Sequence, residues 1–451
     1  MKMTFTSLLS ITVLLACAPG VQAQSQAVSS QQISSESVSS APQGAVADAP
    51  DPKPVQPAIN TSSQSRPPAS FHHDGFWLST SDGSTHLQVH GYAQADNRMF
   101  LSNTHGEDLD AFLFRRIRPL FEGTLFNQVD FRFMPDFGQN NPQIQEAYVE
   151  LKTLPFAKLR VGKFKEPIGL EVLRQDRDLT FTERSIASDL VPLRYIGALV
   201  SGSLLGQSIN YEGGYFDGSS DGSNGVFTQW TRGNEGVGRI FFLPFATTSI
   251  SALKGFGFGT AGSAGSQHGT IAGLKTPAQT SFFKYSSSAV ADGQHNRLSP
   301  QAYYYAGPFG AIAEYAISSQ EVLNKGKFGR IRNEAWEIQG SVMLTGDKNS
   351  YQGFHPRDSF EPNRGFRHMG AVELALRYSR VGIDPEAFPT FASSSSSAQQ
   401  ANATGIGLNW HVNRYVKIMT DYEHTTFRMA STKATPLHNE DVLTSRIQLA
   451  F

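Results

Sequence analysis

Cysteine is almost missing from this chain: Cys17 is the single one in 451 residues. Downstream of it, disulfides and thiolate metal sites are excluded. After the first 23 residues there is no apolar run of 18 residues, so helical membrane spans are excluded too. Neither charge sign dominates. Lys and Arg total 38 against 39 Asp and Glu, without the basic excess that accompanies nucleic-acid binding. The 12 histidines form no HExxH or other tight ligand cluster. What the chain does have is 41 glycines and 32 phenylalanines, a composition suited to strands with tight turns and aromatic girdles.

Lys2 precedes an apolar run over residues 8–18, interrupted only by Ser10 and Thr12, and then Val21-Gln22-Ala23. That order reads as a secretory signal peptide over residues 1–23, cleaved after Ala23, which would remove Cys17. Leu14-Leu15-Ala16-Cys17 offers the alternative of a lipobox, which would tether the N-terminus through Cys17. Residues 24–75 are rich in Ser, Gln, Ala and Pro. Their few large apolar groups cannot offset the entropy of ordering, so the expectation is a disordered periplasmic segment. A tether to the cell wall or another periplasmic partner is the alternative role.

From residue 76 to 451 the texture changes to strand-like segments broken by Gly, Asn, Asp and Ser. Ala147, Val149 and Leu151 alternate with Glu146, Tyr148 and Glu150; Ile406, Leu408 and Trp410 alternate with Gly407, Asn409 and His411. At the C-terminus Leu443, Ile447, Leu449 and Phe451 share one face, with Ser445 among them, opposite Thr444, Arg446 and Gln448. This is the period of strands with one oily and one wet face. The closing aromatic resembles the C-terminal signature of bacterial outer-membrane β-barrels. At roughly 22–25 residues per strand and connection, this region holds about 16 strands, within two either way. The predicted class is all-β, a transmembrane antiparallel barrel. Asn413-Arg414 predicts a two-residue hairpin loop, and helical periodicity is confined to a short helix near residues 169–177.

Several stretches carry a family likeness. They include Phe114-Arg115-Arg116-Ile117-Arg118 followed by Glu122-Gly123, and Val161-Gly162-Lys163-Phe164-Lys165-Glu166-Pro167-Ile168-Gly169-Leu170. Arg177-Asp178-Leu179-Thr180-Phe181-Thr182-Glu183-Arg184-Ser185, Gly307-Pro308-Phe309-Gly310 and Leu344-Thr345-Gly346-Asp347-Lys348 continue it. Over residues 86–451 the chain resembles the phosphate-selective porin O/P family. The resemblance implies a homotrimer of 16-stranded barrels in outer-membrane lipid. Each channel would be narrowed by inward-folded loops and would pass small anions such as phosphate along arginines and lysines. These motifs specify the family well and the solute poorly.

An anion pore needs donors aimed inward, and guanidinium forks match phosphate oxygens. Residues 112–194 hold 13 Arg and Lys against 11 Asp and Glu, a net of +2 too small to decide selectivity. Alternation puts Arg116, Arg118 and Glu122 on one face; Arg115 breaks the pattern, which suggests an interface. Arg132 faces with Asp130. Past Gly162 the alternation fails, which is where the family's constricting loop begins. The expected pore-lining cations are Lys163, Lys165, Arg174, Arg177, Arg184 and Arg194, with Arg116, Arg118 and Arg132 on the wall. The competing expectation is that several pair with Glu166, Glu171, Asp176, Asp178 and Glu183 and brace the loop. Arg116, Arg118 and Arg132 could likewise form networks with Glu122, Asp130 and Glu146.

Three motifs mislead. Gly218-Ser219-Ser220-Asp221-Gly222 has the form of a hydrolase elbow but sits in a polar run, so it reads as a turn. Asp217, Ser219 and Asp221 begin a calcium-loop spacing that ends on Thr228 instead of Glu. Gly257 to Gly262 fits G-x-G-x-x-G with no helix after it, and reads as a glycine-rich strand. No catalytic residue, cofactor or metal is expected. The alternatives to a specific anion channel are a general diffusion channel and a structural barrel that tethers the envelope.

Overall fold

The computed structural model describes residues 69–451, apart from 73, 103–109, 155, 219–232, 365–367 and 435. The leader at 1–23, most of the 24–75 segment, and the elbow-like and calcium-like motifs between residues 217 and 228 lie outside the described residues, save Asp217 and Gly218.

Alternating side chains oblige each strand to bury one face, and the chain does so by wrapping the sheet on itself. Sixteen antiparallel strands run in chain order from His86–Phe100 to Glu440–Ala450. The last returns to the first, with Ala450 opposite Tyr92 and Val442 opposite Phe100. Closure leaves no open edge in the wall, the condition for strands surrounded by hydrocarbon. In Glu440–Ala450, Arg446 is 1% exposed while Ile447 is 54% exposed. Asn409 and Leu408, at 0% and 50%, repeat the contrast. The wet face looks inward and the oily face outward, the inverse of a water-soluble protein.

Strand pairing begins earlier than composition suggests. Ala69–His72 and Gly75–Ser79 form a hairpin that places Ser70 opposite Trp77 and extends onto the first barrel strand through Leu78 and Leu87. Phe71, Phe76 and Trp77 supply the aromatic, strand-favouring residues that the stretch before them lacks. The turn expected at Asn413-Arg414 is a four-residue connection, 412–415, in which the Asn413 carboxamide oxygen accepts from the backbone of Tyr415 and Val416, both at 2.8 Å. An Asx cap therefore replaces the two-residue hairpin. Gly257 to Gly262 lies in Phe256–Thr270, paired on both sides.

The apolar core sits inside the barrel. Ile168, Val172, Ile186 and Leu190, from the connection 166–193, cluster with Phe282, Phe283 and Phe391 of two later connections. Phe283 meets Tyr285 and Phe388 edge-on, with centroids 4.9 and 6.0 Å apart. From the end of the barrel that carries Phe451, the connection 344–370 brings Tyr351 onto Tyr303, stacked at 4.9 Å.

Candidate functional site

The strand Ala157–Lys165 stops where Glu166-Pro167 removes a ladder donor and Gly169, at φ 80°, turns the chain inward. A Cβ at Gly169 would lie 2.9 Å from the Val191 side chain, so the two ends of the loop close on each other there. Leu170–Leu173 makes one α-helical turn and Asp176–Asp178 a 3-10 turn, the short helical region expected near 169–177. The loop's apolar residues cannot face water in the lumen and pack among themselves. Its backbone polar groups then take partners from the wall. Asn409 Nδ2 donates to the Thr180 carbonyl at 2.7 Å and Lys417 Nζ to that of Leu179 at 2.8 Å. The Thr182 amide donates to Asp421 at 2.5 Å.

Two loop carboxylates organise the arginines. Asp176 meets Arg184 at 2.7 Å, Arg194 at 3.2 Å and Arg116 at 3.8 Å, and pairs with Arg118. Glu183 meets Arg115 at 2.6 Å, Arg116 and Arg446 at 3.0 Å, and Arg98 at 3.5 Å. Burial disfavours ionisation of both acids, yet the guanidiniums outweigh it. Arg184, Arg118 and Arg116 hold Asp176 well below the usual carboxylate range. Arg115, Arg116 and Arg446 do the same for Glu183. The guanidiniums also reach Asp96, Asp136 and Glu146 on the wall. Seven guanidiniums against five carboxylates leave two positive charges concentrated in the lumen.

The nine expected cations separate into distinct places. Arg116, Arg118, Arg184 and Arg194 converge on Asp176. Arg132 stays on the wall, 2.6 Å from Glu122 and 3.2 Å from Glu146. Lys165 Nζ donates to the Arg174 carbonyl at 2.5 Å, and Arg184 donates to the same oxygen at 3.2 Å. Lys163 is buried in its strand, opposite Ala147 and Ile196. Arg174 donates to Thr180 Oγ1 at 2.8 Å and to the Asp178 carbonyl. It borders, with Arg177, Arg414 and Lys417, a cavity of about 330 Å³ whose lining also includes four carboxylates, Asp74, Glu122, Asp178 and Glu373. The Arg177 side chain is 28% exposed, against 13% for Arg184 and 4% for Arg194.

Arg115 does not sit at an outer interface. The ladder passes from Gln94 opposite Arg116 to Ala95 opposite Phe114, so Arg115 is the extra residue of a bulge and turns inward to Glu183. Sequence reasoning also left out Arg98, Arg377 and Arg446. Arg446 and Arg377 fall on wet faces of alternating strands, which is the signal that marks them. Arg377 pairs with Glu171 at 3.2 Å and with Glu423, donates to the Glu183 carbonyl at 2.8 Å, and lies 4.2 Å over the Phe181 ring. Among the described residues one acidic group is close enough to hold a metal ion: Glu171, Glu314 and Glu337.

The family model described as "phosphate-selective porin O and P" matches residues 87–451. Porin O of Pseudomonas aeruginosa is 24% identical over 378 residues, 77% of this chain and 84% of that one. Among solved structures, the outer membrane channel DcaP of Acinetobacter baumannii superposes with a TM-score of 0.54 at 9% identity, covering 83% of this chain and 99% of that one. An anion-selective porin from Comamonas acidovorans gives 0.50 at 11% identity, over 81% and 99%. The trimer form of Vibrio cholerae OmpT gives 0.50 at 11%, with the same coverage.

Proposed function

This chain belongs to the phosphate-selective porin O and P family and forms an outer-membrane barrel channel, and we propose that the channel selects anions, with phosphate or polyphosphate preferred. The observation that carries the reading is the surplus of guanidinium around the inward loop, next to a cavity bordered by Arg174, Arg177, Arg414 and Lys417. An anion leaving water exchanges part of its hydration shell for such donors. Several weak sites in series let it bind and still depart. Guanidinium forks suit the tetrahedral oxygens of phosphate. Transport is passive, driven by the solute gradient.

In this reading Arg177 and Arg184 meet the solute, while Arg116, Arg118 and Arg194 set the field and brace the loop. Lys163, Lys165, Arg174 and Arg132 support the same positive lining. The barrel works as a homotrimer in outer-membrane lipid, after removal of residues 1–23 and with residues 24–75 as a periplasmic extension. The pairing of so many arginines with Asp176 and Glu183 also favours a second reading, a general diffusion channel whose cations only brace the loop.

Planar bilayers separate the two. A KCl gradient should give a reversal potential on the chloride side, and added phosphate should block chloride current saturably. Arg177→Gln should weaken that block several-fold at unchanged stability, and Arg184→Gln should act in the same direction. A weakly selective potential with no phosphate block would leave the general diffusion channel.

A further inference from the structure

Away from the arginines, the loop approaches the wall through acids. Glu171 of the loop, Glu314 of the strand Phe309–Asn324 and Glu337 of the strand Lys327–Met343 each offer an oxygen, all within 4.8 Å of one another. The register places Glu314 directly opposite Glu337. Extended sideways, the same row runs from Gln301, opposite Glu314, to Ser379, opposite Glu337.

The hydrogen bonding leaves this row incomplete. Glu337 is 1% exposed and takes no hydrogen bond from any donor; it lies within hydrogen-bonding reach of the Glu314 carboxylate, where two anions need a proton or a cation between them. Gln301 is 4% exposed with both carboxamide atoms unpartnered, and the buried Ser379 hydroxyl also lacks a partner. Buried polar groups are normally satisfied, so a cluster of such atoms beside three carboxylates offers ready ligands to a cation. The neighbouring acids are already oriented. Glu314 accepts from the Leu170 amide at 2.5 Å, and Glu171 from the Ser185 amide at 2.8 Å and the Ser188 hydroxyl at 2.9 Å. The guanidinium in contact is Arg377, which is shared between Glu171 and Glu423. Three carboxylates therefore gather where one cation already serves two acids.

We propose that Glu171, Glu314 and Glu337, with the Gln301 carboxamide oxygen beside them, bind a calcium ion that clamps the inward loop to the barrel wall. The donor set is all oxygen, which suits a hard cation. The dry, protein-only donor set favours calcium over magnesium, because magnesium dehydrates reluctantly and keeps several waters. Calcium takes roughly six to eight oxygen ligands in flexible geometry, which three carboxylates and a carboxamide on different elements can supply. The ion neutralises the acids and gives the Gln301 carboxamide oxygen a partner, which a proton shared between Glu314 and Glu337 would not.

The test uses the full-length protein in detergent, stripped with a chelator and titrated with calcium chloride by calorimetry. The expected result is one saturable site per chain that binds magnesium at least tenfold more weakly. Glu337→Gln and Glu314→Gln should each weaken calcium binding tenfold or more, while Glu321→Gln, at an ion pair with the exposed Arg330, leaves it unchanged. A wild-type crystal soaked in terbium chloride should show an anomalous peak among the three carboxylates, which settles the position even where a variant fails to fold. No saturable site in stripped wild type, calcium affinity retained in Glu337→Gln, or a terbium peak elsewhere would each overturn the proposal. The last two would assign the binding to surface acids or lipid; the first would leave a shared proton between Glu314 and Glu337.

Discussion

The inward loop touches two unlike walls. Towards His86–Phe100, Ala111–Leu125 and Glu440–Ala450 its carboxylates, Asp176 and Glu183, are outnumbered by guanidiniums. Towards Phe309–Asn324 and Lys327–Met343 its Glu171 meets two further acids. Arg377 stands between, bonded to Glu171 and to the Glu183 carbonyl. The difference teaches that one segment can be held at its two flanks by opposite charge. The lumen is thereby polarised: a small net charge spread along the sequence becomes a cationic side and an acidic side. An anion following the lumen is drawn to the first, and the second needs a cation or proton of its own.

Glu183→Gln breaks the cationic flank most deeply. It leaves Arg98, Arg115, Arg116 and Arg446 facing a neutral amide, and removing one partner of a buried ionic cluster costs about 3–5 kcal/mol. Guanidinium unfolding in detergent micelles should show the loss, and single-channel records should become noisy as the loop loosens. Wild-type stability and quiet records would show that the remaining acid, Asp96, suffices to hold Arg446 and Arg98. Arg377→Met tests the boundary. Glu171 and Glu423 lose a shared donor, at about 2–3 kcal/mol, with Phe181 keeping an apolar neighbour in place of its cation. If calcium neutralises the acidic flank, adding it should return part of that loss; an equal loss with and without calcium would separate Arg377 from the acids.

Period-two alternation made much of this legible. It placed Arg116, Arg118 and Arg132 on the inner face, and it put Arg446 and Gln448 opposite Ile447 and Leu449. It could not place Arg115, because a bulge adds a residue without changing composition. Nor could it pair Arg446 with Asp96, 350 positions away, since the closing of the barrel brings first and last strands together. The loop's Ile168, Ile186 and Leu190 read locally as lost alternation; their partners are Phe282 and Phe391, on other connections. Glu171, Glu314 and Glu337 come from three elements and share no spacing motif, so metal-ligand patterns pass over them. The charge sum of residues 112–194 hid this segregation.

The smallest effect is that of mild acid, and it sharpens the comparison further. Asp176 and Glu183 titrate below the ordinary carboxylate range, because their guanidiniums more than offset burial. A depressed folded value means that each contributes stability in full above its unfolded pKa, and loses it as pH falls through the folded one. Lowering pH from 7 to 5 crosses neither value, so both anchors hold throughout. With excess calcium fixing the acidic flank, the wild-type unfolding midpoint should at most rise slightly, as the loop's Asp189, pushed up to about 7 by burial, takes up its proton. Below about pH 4 the unfolded carboxylates take up protons that the folded anchors refuse, and stability should fall steadily. In Glu183→Gln one of the two anchors no longer titrates, so its decline below pH 4 should be shallower than that of the wild type. Parallel declines would mean that Glu183 is not ionised against its four arginines, and the cationic flank would then owe its hold to Asp176.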